Sequence, residues 1–203
     1  MTRKTVGILA LVGALVLVGM MLVPRPGSYT PYGTRLLNPR PAYDFTLTSH
    51  LGRLFRLSEL RGKATLIFFG FVNCPDVCPT TLHELKRVYE ALTPQEQGKV
   101  QVLMISVDPE RDTPERLARY IPFFNPKFLG LTGTPGQIAD VAKNYGVFYQ
   151  KTEATSPTEY EVAHTASVFL LDPKGRLRLI YGSGKTSNTE KLLADLRWLL
   201  GGG

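Results

Sequence analysis

Two cysteines, Cys74 and Cys78, stand in the stretch FGFVNCPDVCPT at residues 69–80, and the remaining 201 of the 203 residues contain no other. Each is followed by a proline, Pro75 or Pro79. Two thiols at this spacing can close a structural disulfide, cycle as a redox couple or hold a metal ion. A disulfide across so short a loop removes little freedom from the unfolded chain and stabilises little. A redox couple ordinarily has two residues between its thiols, and here there are three. A metal site needs more than two sulfurs, which directs attention to the histidines.

There are three. His50 falls in an expected hairpin turn and reads as an exposed turn residue. His83 follows Cys78 by five positions. On a helix that is roughly 140° away, so it reads as a surface histidine. His164 ends the polar piece TEYEVAH and directly precedes the apolar run ASVFLL. Two thiolates and one imidazole make a soft three-donor set. It suits Cu(I), and with a fourth ligand or water it also holds Cu(II). Structural zinc wants four protein ligands. Asp76 and Asp108 are the carboxylates close enough in the expected fold to approach as a fourth.

The elements that must position these groups read as follows. ATLIFFGFV (64–72) and VQVLMISVD (100–108) are continuous apolar runs too short for globular helices, and they read as buried central strands. PTTLHELKRVYEAL (79–92) repeats apolar residues at helical spacing. The cysteines therefore lie where a strand runs into a helix N-terminus, whose positive end favours thiolate. Cysteines four apart share one helix face, and the two prolines restrict the turn between them. Thr113 before Pro114 and Thr134 before Pro135 read as caps of two further helices, the second ended by Gly146. FLGLTG is a short strand, VFYQK and TEYEVAH are the arms of an inserted hairpin, and ASVFLLDPKGRLRLIYG is a strand, turn and returning strand. Ser187 or Asn188 caps a last helix, 189–200. DFTLTSHLGRLFRL forms a leading hairpin.

Alternating β and α pieces with a late antiparallel pair imply an α/β fold: a mixed central sheet with helices on both faces. A cysteine turn between the first central strand and a helix makes it thioredoxin-like. Such a fold brings the loop before ASVFLL beside the cysteine turn. Thioredoxin-like redox enzymes usually carry a cis-proline there, whereas residues 163–166 of this chain are Ala, His, Thr, Ala.

Residues 6–23 form an eighteen-residue run without charge. As a helix it would span about 27 Å, close to the thickness of a bilayer core. No small-x-small cleavage site and no lipoprotein cysteine follow it, so it reads as an uncleaved transmembrane anchor rather than a removed signal. Arg3 and Lys4 place residues 1–5 in the cytoplasm. Residues 24–41, rich in Pro and Gly, read as a tether, and 42–203 as the exported domain. The expected location is the extracytoplasmic side of a bacterial-type inner membrane. Net charge is +7. The basic residues are scattered, with no Lys/Arg run, so nucleic acid is not an expected partner.

FFGFVNCPDVCPTTL, ISVDPERDTPERLARY, LTGT and VAHTASVFLLDPKGRL together resemble the Sco/SenC family of membrane-anchored copper chaperones for cytochrome c oxidase assembly. The resemblance covers roughly residues 42–200. It implies that Cys74, Cys78 and His164 bind one copper per monomer, and that the cargo is delivered to the binuclear copper centre of oxidase subunit II. In some members it implies thiol–disulfide exchange with that subunit, with other copper chaperones or with thiol reductants. It implies a metallochaperone and not an enzyme. Many members carry an acidic residue before the histidine, and here it is Ala163. SVDPERDTP is a signature of the family without an evident job, Asp112 and Thr113 reading as helix caps. The alternative of a different class is a membrane-anchored thiol–disulfide oxidoreductase acting through Cys74 and Cys78 without metal. A peroxidase-like thioredoxin relative is the third reading.

Overall fold

The structure, a computed structural model, describes residues 29–152 and 160–202. The expected cytoplasmic segment, anchor and first part of the tether, 1–28, lie outside the described residues. Among those described, no helix is long and apolar enough to cross a membrane. Pro31–Gly202 forms one compact unit.

The centre of the unit is three parallel strands: β4 (Ala64–Gly70), β5 (Val100–Ser106) and β6 (Leu129–Thr132). All seven residues of β4 are buried. That is why its sequence is a continuous apolar run: a strand covered on both faces has no polar side to show. Antiparallel strands extend this core both ways. β9 (Val168–Leu171), β10 (Leu177–Tyr181) and β1 (Thr34–Arg35) follow on one side, and β2 (Thr46–Ser49) and β3 (Leu54–Arg56) on the other. The resulting eight-stranded order is β1-β10-β9-β4-β5-β6-β2-β3. The mixed sheet expected from sequence is therefore present, with the leading hairpin added at the β6 edge.

Side chains alternate across the sheet, and helices cover both faces. Phe69 points to α4 (Pro135–Tyr145), where the Tyr145 ring centroid lies 5.7 Å away. Gly70, one residue on, faces α1 (Val77–Glu90). A Cβ there would lie 2.9 Å from Cys78 Sγ, so glycine gives the cysteine its room. α3 (Pro114–Phe124) lies on the same face as α1, since a Cβ on Gly130 of β6 would meet Ile121 at 2.6 Å. α5 (Thr189–Leu200) packs against α1 as well. α2 (Pro94–Gln97) is a single turn leading into β5.

The expected caps form. Thr113 and Thr134 accept from the N–H groups of Arg116 and Gln137, Asn188 caps α5, and Gly146 ends α4 at φ 68°.

Two features depart from the sequence reading. The second half of the expected tether is built into the domain. β1 pairs with β10, and the N–H groups of Tyr32 and Gly33 donate to the fully buried carboxylate of Asp195 at 3.0 and 2.9 Å. His50 is no exposed turn residue: it is only 8% exposed. Its backbone N–H donates to the Gly130 carbonyl at 2.8 Å, and its Nδ1 accepts the Gly130 N–H at 3.0 Å. No local pattern in the turn signals that β6 lies against it. His83 is exposed as expected, its ring edge-on to Phe123 and Phe124.

The inserted hairpin forms from β7 (Tyr149–Lys151) and β8 (Val162–His164), paired antiparallel as a separate two-stranded sheet.

Candidate metal centre

Three elements deliver the donors. Cys74 lies in the turn that leaves the C-terminal end of β4, Cys78 is the second residue of α1, and His164 is the last residue of β8. Asp76 occupies the cap position of α1, but its side chain caps no backbone N–H; it accepts the Thr80 hydroxyl instead. The first turn of α1 thus leaves N–H groups for sulfur. The Cys78 N–H donates to Cys74 Sγ at 3.3 Å.

His164 arrives from the far end of the chain. Its Nε2 lies 3.4 Å from Cys78 Sγ, and the donor atoms of Cys74, Cys78 and His164 all lie within 4.8 Å of one another. Its Nδ1 sits 3.3 Å from the Thr165 carbonyl. A carbonyl only accepts, so Nδ1 carries the proton and the Nε2 lone pair is turned to the sulfurs. Phe68 and Phe71 hold the ring edge-on, at centroid distances of 6.2 and 5.6 Å. The site opens to solvent through a cleft of about 340 Å³ lined by Asn73, Cys74, Pro75, Val77, Tyr160 and Ala166 among others.

The two thiols are electrostatically unlike. Cys74 is half-buried, and the hydrogen bond from the Cys78 thiol pulls its pKa from 9.0 down to about 5, outweighing burial; the N–H groups of Cys78 and Asp76 act the same way. Cys78 is wholly buried, and both its bond to Cys74 and its desolvation push its thiol up. Reduced, the pair is one ready thiolate and one shielded thiol, both free of a disulfide.

Chemically, the site is two sulfurs and one imidazole lone pair converging in an apolar, half-closed pocket. That donor set fits a soft ion of low coordination number. Neither expected fourth carboxylate joins it. Asp108 uses one oxygen to accept from Tyr160 Oη at 2.5 Å and the other to pair with the Arg111 guanidinium, and Asp76 is taken by Thr80. Among the described residues no fourth His, Cys, Asp or Glu belongs to the cluster.

Sequence reasoning missed Asp112. Thr113 alone caps α3, while Asp112 is fully buried beneath the cysteine turn. Its Oδ2 accepts the Val72 N–H at 3.0 Å and the Ser106 hydroxyl at 2.7 Å, and burial raises its pKa. Tyr160, beside the cleft, was missed as well. SVDPERDTP was the signal for Asp112, but its partners lie on other elements; Tyr160 lies in TEYEVAH, outside that motif.

Comparison with known proteins gives a consistent picture. The family model described as SCO1/SenC matches residues 36–201. The mitochondrial SCO2 homologue of Bos taurus is 40% identical over 146 residues, which cover 71% of this chain and 54% of that protein. The chain thus spans about half the length of this relative. The solution structure of apo Sco1 from Thermus thermophilus aligns with TM-score 0.78 and 51% identity, over 86% of this chain and 99% of that one. The structure of Bradyrhizobium japonicum ScoI with copper bound aligns with TM-score 0.72 and 38% identity, over 79% and 100% respectively.

Proposed function

The chain belongs to the SCO1/SenC family, and from that premise we propose that it is a copper carrier that takes its cargo on Cys74, Cys78 and His164. The observation that carries this reading is the 3.4 Å approach of His164 Nε2 to Cys78 Sγ across 86 residues of sequence. An imidazole lone pair aimed at the buried sulfur adds a third soft-ion donor to the dithiol. The structure of Bradyrhizobium japonicum ScoI, which is similar to this chain and has copper bound, supports the same assignment.

The residues divide the work. Cys74, accessible and inclined to thiolate, meets the incoming ion. Cys78 then gives up its proton, because sulfur binds metal as thiolate. His164, its tautomer fixed by Thr165, completes the set without proton loss. The open cleft lets the partner approach, and a three-donor set leaves the ion with coordination to spare for transfer.

The finer reading is that residues 6–23 anchor the domain to the extracytoplasmic face of the inner membrane, and that the copper goes to the binuclear centre of cytochrome c oxidase subunit II. Other copper chaperones or thiol reductants are partners on the way. On this reading the protein is a metallochaperone with no turnover of its own. One observation favours the second reading, thiol–disulfide exchange: the lowered pKa of Cys74 beside Cys78 suits an attacking thiolate. The two uses exclude each other in time, because a disulfide is a poor ligand.

The test is a Cu(I) titration of the reduced full chain against a competing chelator, wild type beside His164→Ala. One copper per chain is expected, with affinity at least about a hundredfold weaker in the variant, the upper end for disturbed ligation. Stoichiometric, equally tight binding by His164→Ala would overturn the three-donor site. Full exchange activity in that variant alongside it would favour the oxidoreductase.

A further inference from the structure

The loop of residues 108–113, between β5 and α3, has no donor atom in the metal cluster. It nevertheless touches both halves of the site. On the cysteine side, Asp112 accepts the Val72 N–H, and Arg116, in the first turn of α3, pairs with the Asn73 side chain. Val72 and Asn73 are the two residues before Cys74. On the histidine side the loop grips Tyr160, four residues before His164. Tyr160 Oη donates to Asp108 Oδ1 at 2.5 Å. Arg111 Nη1 donates to the Tyr160 carbonyl at 2.9 Å, and the guanidinium carbon lies 3.6 Å from the Tyr160 ring centroid. The same guanidinium pairs with Asp108 Oδ2.

This cluster is largely buried. Asp108 is 1% and Tyr160 8% exposed, and the Arg111 side chain 9%. Charge-assisted bonds in such a setting are strong and directional, and a missing partner costs more than at the surface. The outer pair Lys151–Glu110, at 2.5 Å, is exposed and adds little.

His164 needs such a hold. It sits on a two-stranded sheet separate from the central one, and a lone hairpin is marginal in water. The cysteines, in contrast, are fixed to β4 and α1. The separation between the fixed sulfurs and the hairpin-borne imidazole is therefore set by whatever ties the hairpin down.

We propose that Asp108, Arg111 and Tyr160 form a latch that holds the His164 hairpin against the cysteine turn, so that these three residues set copper affinity through the histidine. The proposal rests on the three-donor reading of the site. These are positioning residues: none touches the ion. The latch gives SVDPERDTP a job on both sides of the site, Asp108 and Arg111 for the histidine, Asp112 for the cysteines.

The experiment is a double-mutant cycle in the full chain, measured as Cu(I) affinity against a chelator of known strength. Tyr160→Phe removes one hydroxyl and keeps the ring under Arg111, so the fold is retained; Asp108→Asn is the second variant. Each is expected to weaken copper binding about tenfold to a hundredfold, the range found when groups that orient a metal ligand are removed. In a His164→Ala background the same changes should alter affinity less than about twofold, because the latch has nothing left to position. With circular dichroism showing the variant folded, the Cu(II) form of Tyr160→Phe should also lose nitrogen hyperfine coupling. Equal losses in both backgrounds, or no loss in either, would overturn the latch. That outcome is separate from failure of the site itself, which would appear as unchanged affinity in His164→Ala alone and would end the latch with it.

Discussion

Cys74 and Cys78 are one residue type in one turn, and their surroundings make them different reagents. Cys74 is half-buried at the cleft and receives hydrogen bonds; Cys78 gives one and sits behind Gly70 with no exposed surface. A thiol pKa lowered to about 5 means that thiolate predominates above that pH and disappears below it. In the reduced, metal-free protein, iodoacetamide should therefore modify Cys74 with a rate midpoint near pH 5, while Cys78 stays unmodified until unfolding. Replacing Cys78 by Ala removes the leading cause and should move the Cys74 midpoint back toward that of an ordinary thiol. A midpoint near that of a free thiol in the intact pair would contradict the assigned hydrogen bond. The spacing of the two cysteines was legible in sequence, and so was the helix N-terminus beside them. Their inequality was not, because it depends on which sulfur the strand buries.

At the scale of elements, the edge strand β1 pairs with β10, and one carboxylate fixes the residues that lead into it. Asp195 on α5 accepts from Tyr32 N–H, Gly33 N–H and Tyr181 Oη, the last at 2.8 Å. Gly33 is required for that approach, since a Cβ there would meet the Tyr181 ring at 2.9 Å. Asp195→Ala strands these donors. A buried donor without its partner costs about 1–3 kcal/mol, so about 3 kcal/mol or more is expected in total. In a domain of this size that lowers Tm by roughly 6–12 °C. Hydrogen exchange should show residues 32–36 opening first. An unchanged exchange pattern there would show that β1 is held otherwise. Sequence assigned this segment to a tether because Pro and Gly dominate it, and no local pattern reveals an acceptor 162 residues away.

For the whole molecule, the three donors tie the end of a central strand, the start of a helix and a separate hairpin into one point. An ion that binds only this arrangement stabilises it by mass action, about 4 kcal/mol at a thousand times Kd. Binding to the two neighbouring thiols in the unfolded chain trims that figure. A Tm rise of roughly 8–16 °C with saturating Cu(I) follows for the wild type. In His164→Ala most of the rise should vanish, because two cysteines four apart bind nearly as well unfolded as folded. A rise of equal size in both proteins, read by circular dichroism, would place the hairpin outside the site.

Local sequence determined what local physics controls. Apolar runs gave the buried strands, threonines before prolines gave the helix starts, and the quoted motifs gave the family and the three residues that the fold brings together. Tertiary structure alone decided what depends on which elements meet. It put His50 against β6, closed the tether residues 32–33 onto Asp195 and 34–35 onto β10, and withheld Asp76 and Asp108 from the metal cluster. It also turned SVDPERDTP from an unexplained signature into a brace between the cysteine turn and the histidine hairpin. The physical reason is the same in each case: hydrogen bonds and burial between elements are made by side chains far apart in sequence, and nothing in either partner's neighbourhood specifies the other.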